Sequence, residues 1–203
     1  MVNVLNKEKH TTQRMRLLAQ ARRLIANQGF KETSMSQIAK ACKVTKAGLY
    51  HYFKSKEDIL LAILGCHHEE MEFLREKLAK AKTLQEVLYA IAKNHMERMS
   101  QPENLDFLKI LVNEAMTNPE VKKFYMGFIK DALVAASRDV VGPYVKGKMN
   151  EVEVRRIYFQ FGAALSHYTW QVKMVGGLSD IIGDDETFIR QLAKTYSMVF
   201  QAS

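Results

Sequence analysis

Cysteine, proline and tryptophan are scarce in this 203-residue sequence: two, three and one of each. Two cysteines, Cys42 and Cys66, make no disulfide framework and point to a reducing, cytoplasmic setting. Three prolines and ten glycines leave long stretches without helix breakers. The abundance of Ala, Leu, Met, Lys and Glu in those stretches points to an all-α chain. An apolar run of 18 residues is also missing, which excludes a membrane-spanning helix of ordinary length. The N-terminus, MVNVLNKEKHTTQRMR, lacks an apolar signal core and a small-residue cleavage site. No Ser/His/Asp arrangement, Gly-rich phosphate loop or Cys-x-x-Cys is present, so neither an enzyme nor a cofactor is expected.

What is present is unevenly spread. The formal net charge is +8. Residues 1–56 carry 12 Lys+Arg and 2 Asp+Glu, whereas residues 57–203 carry 18 and 20. All of the positive excess therefore lies on the first quarter of the chain. That is the electrostatic footprint of a polyanion-binding head on a near-neutral body. A membrane surface would attract the same charge. The basic residues, however, are interleaved with a core pattern rather than gathered in one polybasic run, which favours DNA over lipid.

The basic segment contains the stretch Thr33 to Lys56, TSMSQIAKACKVTKAGLYHYFKSK. Ser34-Met35-Ser36-Gln37 fits a capping box, after which Ile38, Ala39, Ala41 and Cys42 form one apolar face. The helix should stop near Lys43-Val44. Thr45 is a good N-cap for a second short helix from Lys46 to Tyr52 or Phe53, and Ser55-Lys56-Glu57-Asp58 opens a third. Two short helices joined by a tight turn form a helix-turn-helix, whose second helix enters the DNA major groove. Leu49 and Phe53 supply the inward stripe, leaving Thr45, Lys46, Tyr50, His51 and Tyr52 for the outside. Lys46 and Lys56 can neutralise phosphates; Thr45 and the tyrosines can hydrogen-bond to them. Ala47-Gly48 leaves little bulk between backbone and base edges. The plainer reading is a solvated basic surface with Tyr50 and Tyr52 as half-buried rings.

The run Gly29-Phe30, Thr33-Ser34-Met35, Ile38-Ala39, Val44 to Tyr50, Tyr52-Phe53 and Ser55-Lys56-Glu57 closely resembles the DNA-binding domain of the TetR/AcrR family of bacterial transcriptional regulators. The resemblance implies a three-helix DNA-binding domain over residues 1–55 and a larger helical ligand-binding and dimerisation domain over 56–203. It also implies a homodimer on a palindromic double-stranded operator. Carried over position by position, it implies DNA contacts from Ser34, Met35, Thr45, Lys46, Ala47, Tyr50, His51 and Lys56, largely to phosphates. Gly48 and Tyr52 complete the candidate set. Ala47 departs from the family, which often has Gly there.

Elsewhere the periodicity predicts further helices. Residues 1–10 read as a frayed arm, with Thr11 or Thr12 capping a first helix to Gln28 and Gly29 ending it. A long helix is expected from Lys56 to about Ala81, with Ile59, Leu60, Ile63 and Leu64 continued by Met71, Leu74 and Leu78. Cys66-His67-His68-Glu69-Glu70 invites a metal reading. Adjacent helical residues point about 100° apart, so few of these share a face, and a solvated polar surface is preferred with no metal. Thr83 to Glu86 forms a capping box, Asn104 is expected to cap the next helix, and Asn118-Pro119-Glu120 starts another that ends before Gly142-Pro143. Asn150 caps a helix to about Met174, and Asp184 or Asp185 begins the last.

Two expectations concern this body. The family resemblance implies a cavity for a small apolar or amphipathic inducer. Met and aromatic side chains repack around varied shapes, so Met96, Met99, Phe107, Leu111, Phe124, Phe128, Phe161 and Tyr168 are the candidates to line it. Asn113, Glu114, His95 or His167 could orient the ligand or be internally paired. Residue by residue, ordinary core is the alternative. The last two long helices are apolar on more than one side. Phe159, Gly162, Ala163, Ser166 and Trp170 on one, and Phe188, Leu192, Tyr196 and Val199 on the other, are expected to pair with their copies in a second protomer. The expected function is a ligand-responsive repressor. The alternative is a DNA-binding regulator whose body recruits partner proteins or senses redox state or metal.

Overall fold

The computed structural model describes residues 2–65, 78, 80–145, 147 and 149–202, and every regular element among them is helical. In chain order these are α1 (Val2–Gln28), α2 (Met35–Ala41), α3 (Lys46–Tyr50), α4 (Lys56–Gly65), α5 (Leu84–Met99), α6 (Pro102–Ala115) and α7 (Pro119–Ala135). There follow α8 (Gly142–Val145), α9 (Glu151–Tyr168), α10 (Ser179–Ile182) and α11 (Asp185–Ala202). A π-helical segment, Ala136–Val141, joins α7 to α8, and a second, Thr169–Val175, prolongs α9. None of the described helices is long and apolar enough to cross a membrane.

The local chemistry that starts these helices is that read from the sequence. The Gln37 N–H donates to Ser34 Oγ at 3.2 Å while the Ser34 N–H donates to Gln37 Oε1 at 2.8 Å, closing the capping box of α2. The same reciprocal pairs start α5 through Thr83 and Glu86, and α9 through Asn150 and Glu153. The Asp184 carboxylate accepts from the Thr187 N–H at 2.9 Å ahead of α11. Gly29 stops α1 in the left-handed region, with φ +90°.

Several boundaries differ from expectation. α1 starts at Val2, not at Thr11 or Thr12: residues 2–10 hold no Gly or Pro, so nothing local stops the helix from propagating back through them. α3 ends at Tyr50, because the Tyr52 N–H turns back to the Leu49 carbonyl at 3.0 Å in a tighter turn. α6 begins at Pro102, a residue suited to a first turn, so Asn104 lies inside the helix and is buried rather than capping it. Nor does the helix after Asn118 end before Gly142-Pro143. It continues as the π segment and α8, with the Gly142 N–H reaching five residues back to the Ser137 carbonyl. Pro143 has no N–H to give and would crowd a carbonyl four residues back; the wider π turn ahead of it accommodates both. α4 is described to Gly65. The expected continuation through Met71 and Leu74, and the Cys66 to Glu70 cluster, lie outside the described residues.

Packing groups the chain into two units, Met1–Glu69 with Pro102–Tyr125, and Glu70–Gln101 with Met126–Ser203. The first is built on α1, against which α2, α4 and α6 pack. Its core joins Leu17, Leu18, Ile25, Ile38, Leu49 and Phe53 to Ile59, Leu60, Ile63 and Leu64 of α4, and to Ile110 and Leu111 of α6. The expected division at residue 55 thus runs through a continuous apolar core. The second unit has α5 packed along α11, with α9 against both α11 and the segments Ala136–Val141 and α8. Its centre is Leu88, Ala92, Phe161, Leu165, Ile189, Ala193 and Phe200.

Candidate nucleic-acid interface

The turn between α2 and α3 is tightly specified. Past the C-cap Cys42, the Lys43 N–H donates to the Lys40 carbonyl at 3.1 Å and the Val44 N–H to the Ala39 carbonyl at 3.0 Å. This is a Schellman ending, with Lys43 in the left-handed region at φ +57°. Val44 folds back onto the core. Thr45 then caps α3, its Oγ1 accepting from the Gly48 N–H at 3.0 Å. A Cβ on Gly48 would come within 3.1 Å of that same oxygen, so the absence of a side chain there keeps the cap intact.

Leu49 and Phe53 are fully buried, which fixes the rotation of α3 about its axis. Thr45, Lys46, Ala47, Tyr50 and His51 are consequently exposed, Tyr50 at 44%. Gly48 and Tyr52 are half-buried; Tyr52 leans on the core and meets the His51 ring edge-on at 5.3 Å. Ser34 is exposed at the start of α2 and Met35 is half-buried beside it. Seven of these nine lie on α3, its caps and the residue just after them; Ser34 and Met35 lie at the end of α2 away from the turn. Lys56 is different. Its Nζ donates to the Phe30 carbonyl at 2.6 Å and to the Lys31 carbonyl at 3.3 Å, and lies 4.3 Å from the centroid of the Phe30 ring. Two of its three N–H bonds therefore serve the α1–α2 connection. By contrast, Lys40, Lys43, Lys46 and Lys54 are exposed and make no side-chain hydrogen bond or ion pair with the described residues.

Cys42 is buried on the opposite side, its Sγ 3.7 Å from the Leu17 carbonyl, and burial pushes its thiol up from the ordinary range. A protonated, enclosed thiol is a poor redox trigger.

The residues expected to meet a ligand fall in both units. In the first, Leu111 is buried and Phe107 and Phe124 pack on the core. Asn113 is solvent-exposed on α6 and orients nothing inside; the buried polar side chain of that turn is its neighbour Glu114. In the second unit, Met96, Phe161 and Tyr168 belong to the core, while Met99 and Phe128 are half-buried. An open groove of about 600 Å³ lies between α5 and α11, lined by Thr83, Glu86, Tyr89, Thr187, Arg190 and Lys194 among others. None of the expected ligand contacts lines it. Among the described residues no group of three His, Cys, Asp or Glu side chains is placed to hold a metal ion.

A buried polar pair links α5 to the second π segment. His95 Nε2 lies 2.7 Å from Thr169 Oγ1, and that hydroxyl donates to the Leu165 carbonyl at 3.0 Å. With its single proton so placed, Thr169 accepts from an Nε2-protonated, neutral ring. Burial, helped by nearby Arg98, lowers the imidazole to a pKa of about 4.

Of the two stripes expected at a dimer face, only that of α9 points outward. Phe159 (55%), Ala163, Ser166 and Trp170 are exposed, in line with Val152 and Arg156, and Gly162 is half-exposed beside them. On α11 the expectation is corrected: Phe188, Leu192 and Tyr196 pack into their own unit, and only Val199 is exposed. Phe188 stacks on Tyr168 at 3.9 Å and Tyr196 meets Phe161 at 5.6 Å. Tyr168 is in turn tied to Asp185 by its hydroxyl at 2.9 Å. The α11 core face is wide enough to hold this stripe as well as Ile189, Ala193 and Phe200.

Residues 17–63, the span of this helix-turn-helix and its flanks, match the model of the bacterial regulatory proteins of the tetR family. The HTH-type transcriptional regulator YuxN of Bacillus subtilis is 39% identical over 54 residues, which is 27% of this chain and 19% of that protein. The fatty acid metabolism regulator protein of the same organism is 32% identical over 95 residues, 45% of this chain and 47% of that one. The chain thus spans less than half the length of these curated relatives. A transcriptional regulator from Aquifex aeolicus superimposes with a TM-score of 0.70 at 15% identity, over 92% of this chain and 99% of that one, which shows a shared fold. Capped helices and family match agree on the N-terminal part: residues 17–63 carry the region that the tetR family of bacterial regulatory proteins shares, on a chain whose fold is that of the Aquifex regulator.

Proposed function

We propose that this protein is a homodimeric repressor that binds a palindromic DNA operator and is released by a small apolar or amphipathic inducer. Regulators of this family generally bind DNA as dimers and respond to ligands. The observation that carries the reading is the outward face of α3: Thr45, Lys46, Ala47, Tyr50 and His51 stand exposed on a helix whose rotation is fixed by buried Leu49. Short, uncluttered and edged by lysines, it suits a major groove whose phosphates supply most of the affinity. In this reading residues 1–55 do the DNA binding and residues 56–203 bind the inducer and form the dimer.

The dimer is proposed through the outward stripe of α9. Its small residues, Gly162, Ala163 and Ser166, let a second copy approach closely between Phe159 and Trp170. The inducer's apolar character is supported by the Met and aromatic content of the body, and by a relative whose name ties it to fatty acid metabolism. An inducer acts only if it binds the DNA-incompetent state more tightly.

The test is selection of bound duplexes from a random pool by the full-length protein. The expected product is a palindrome whose half-sites lie about one helical turn, roughly 34–36 Å, apart. Recovery of no enriched sequence, or binding that ignores salt, would overturn the reading.

A further inference from the structure

We infer that Lys43, in the turn before α3, is itself a DNA-phosphate contact. The inference rests on the DNA-binding reading above and adds to it a residue that neither the recognition helix nor its caps include. Three observations carry it. First, Lys43 occupies the left-handed position of the Schellman ending, φ +57°, where glycine fits without strain and an L side chain does not. Its backbone is fixed by the two hydrogen bonds to Lys40 and Ala39 and by the inward fold of Val44. The strain is therefore built in. Second, no contact among the described residues repays it. The side chain is exposed and makes no ion pair or hydrogen bond with the described residues. Third, its place is that of a cation needed outside: two residues ahead of the α3 N-cap, between the equally unengaged Lys40 and Lys46. A strained, unpartnered lysine at the mouth of a DNA-reading element is what a phosphate contact requires and what stability alone disfavours.

Stability and binding should consequently respond in opposite directions to one substitution. Lys43→Gly relieves the backbone and removes the charge. The variant is expected to unfold several degrees higher than wild type, yet to bind a mixed-sequence duplex of about four helical turns more weakly. Its log–log salt slope, measured by fluorescence anisotropy from roughly 50 to 200 mM NaCl, should be shallower by about 0.9 for each copy of Lys43 removed. Lys43→Ala should show the same binding loss with no gain in unfolding temperature, and Lys43→Arg should bind as wild type does. The inference is overturned if Lys43→Gly keeps the wild-type affinity and slope, or if it unfolds at a lower temperature. A wild-type protein that binds no duplex removes the DNA-binding reading as well, an outcome distinct from a wild type that binds and a variant that binds equally.

Discussion

The Lys56 ammonium closes the connection between α1 and α2: it donates to the Phe30 carbonyl at 2.6 Å and lies 4.3 Å from the centroid of the same residue's ring. One side chain thus gives the Phe30 carbonyl, which also accepts from the Thr33 N–H at 3.2 Å, a second donor and covers an aromatic face. Lys56→Met keeps the stem and loses both contacts. It is expected to destabilise the first unit by about 1–2 kcal/mol in urea unfolding followed by circular dichroism. Its salt slope for DNA binding should change less than that of Lys46→Ala. Equal slope changes would return Lys56 to the phosphate contacts.

Gly48 and Thr45 should show coupled stabilities. In wild type, Gly48→Ala places a Cβ within 3.1 Å of the capping oxygen and is expected to cost about 0.5–1 kcal/mol. In a Thr45→Ala background the oxygen is gone, and the same change should stabilise by a few tenths, since alanine favours helix. A double-mutant cycle by thermal unfolding reads the change of sign. Additive effects would mean that the cap tolerates the methyl.

Stability should fall in acid through His95. Its ring titrates near 6.5 when unfolded and near 4 when folded, because burial disfavours the charged form. Above the unfolded value neither state binds a proton and the contribution is complete. Between the two values only the unfolded chain protonates, so stability drops as pH falls and levels off below about 4. Across that window the loss amounts to roughly 3 kcal/mol. Urea unfolding at a series of pH values should show the slope in wild type and a flatter profile in His95→Gln. Identical profiles would mean that other groups govern the acid limb.

The proposed dimer face makes a simple prediction. Ala163→Glu and Phe159→Glu place charge on the exposed stripe of α9 without touching the core. Sedimentation equilibrium should find wild type dimeric and both variants shifted to monomer, with helical content unchanged. Variants that remain dimeric would move the interface elsewhere.

Much of this was legible in the sequence because it is local. Ser34 with Gln37 and Thr83 with Glu86 declare helix starts through atoms three residues apart, and both boxes close as read; Asn150, read as a cap, closes a third with Glu153. The outward set of α3 followed from Leu49 and Phe53. What failed was of two kinds, a competing start signal close by and partners distant in sequence. Asn104 looks like a cap until Pro102 takes the first position. On α11 two apolar stripes were visible, but only the packing of Phe188 on Tyr168 and Tyr196 on Phe161 shows that one core takes both. The π turns had no readable signature beyond Gly142-Pro143, since a π turn answers to tertiary fit rather than to composition.

The core that seats α2 and α3 draws on Ile59, Leu60, Ile63 and Leu64 and on Ile110 and Leu111 from much later in the chain. The reading end is therefore no portable cassette. A chimera that grafts residues 1–55 onto a foreign partner would strip away one wall of its own interior. Any workable transplant must carry α4 and α6 along, or rebuild the apolar surface they supply.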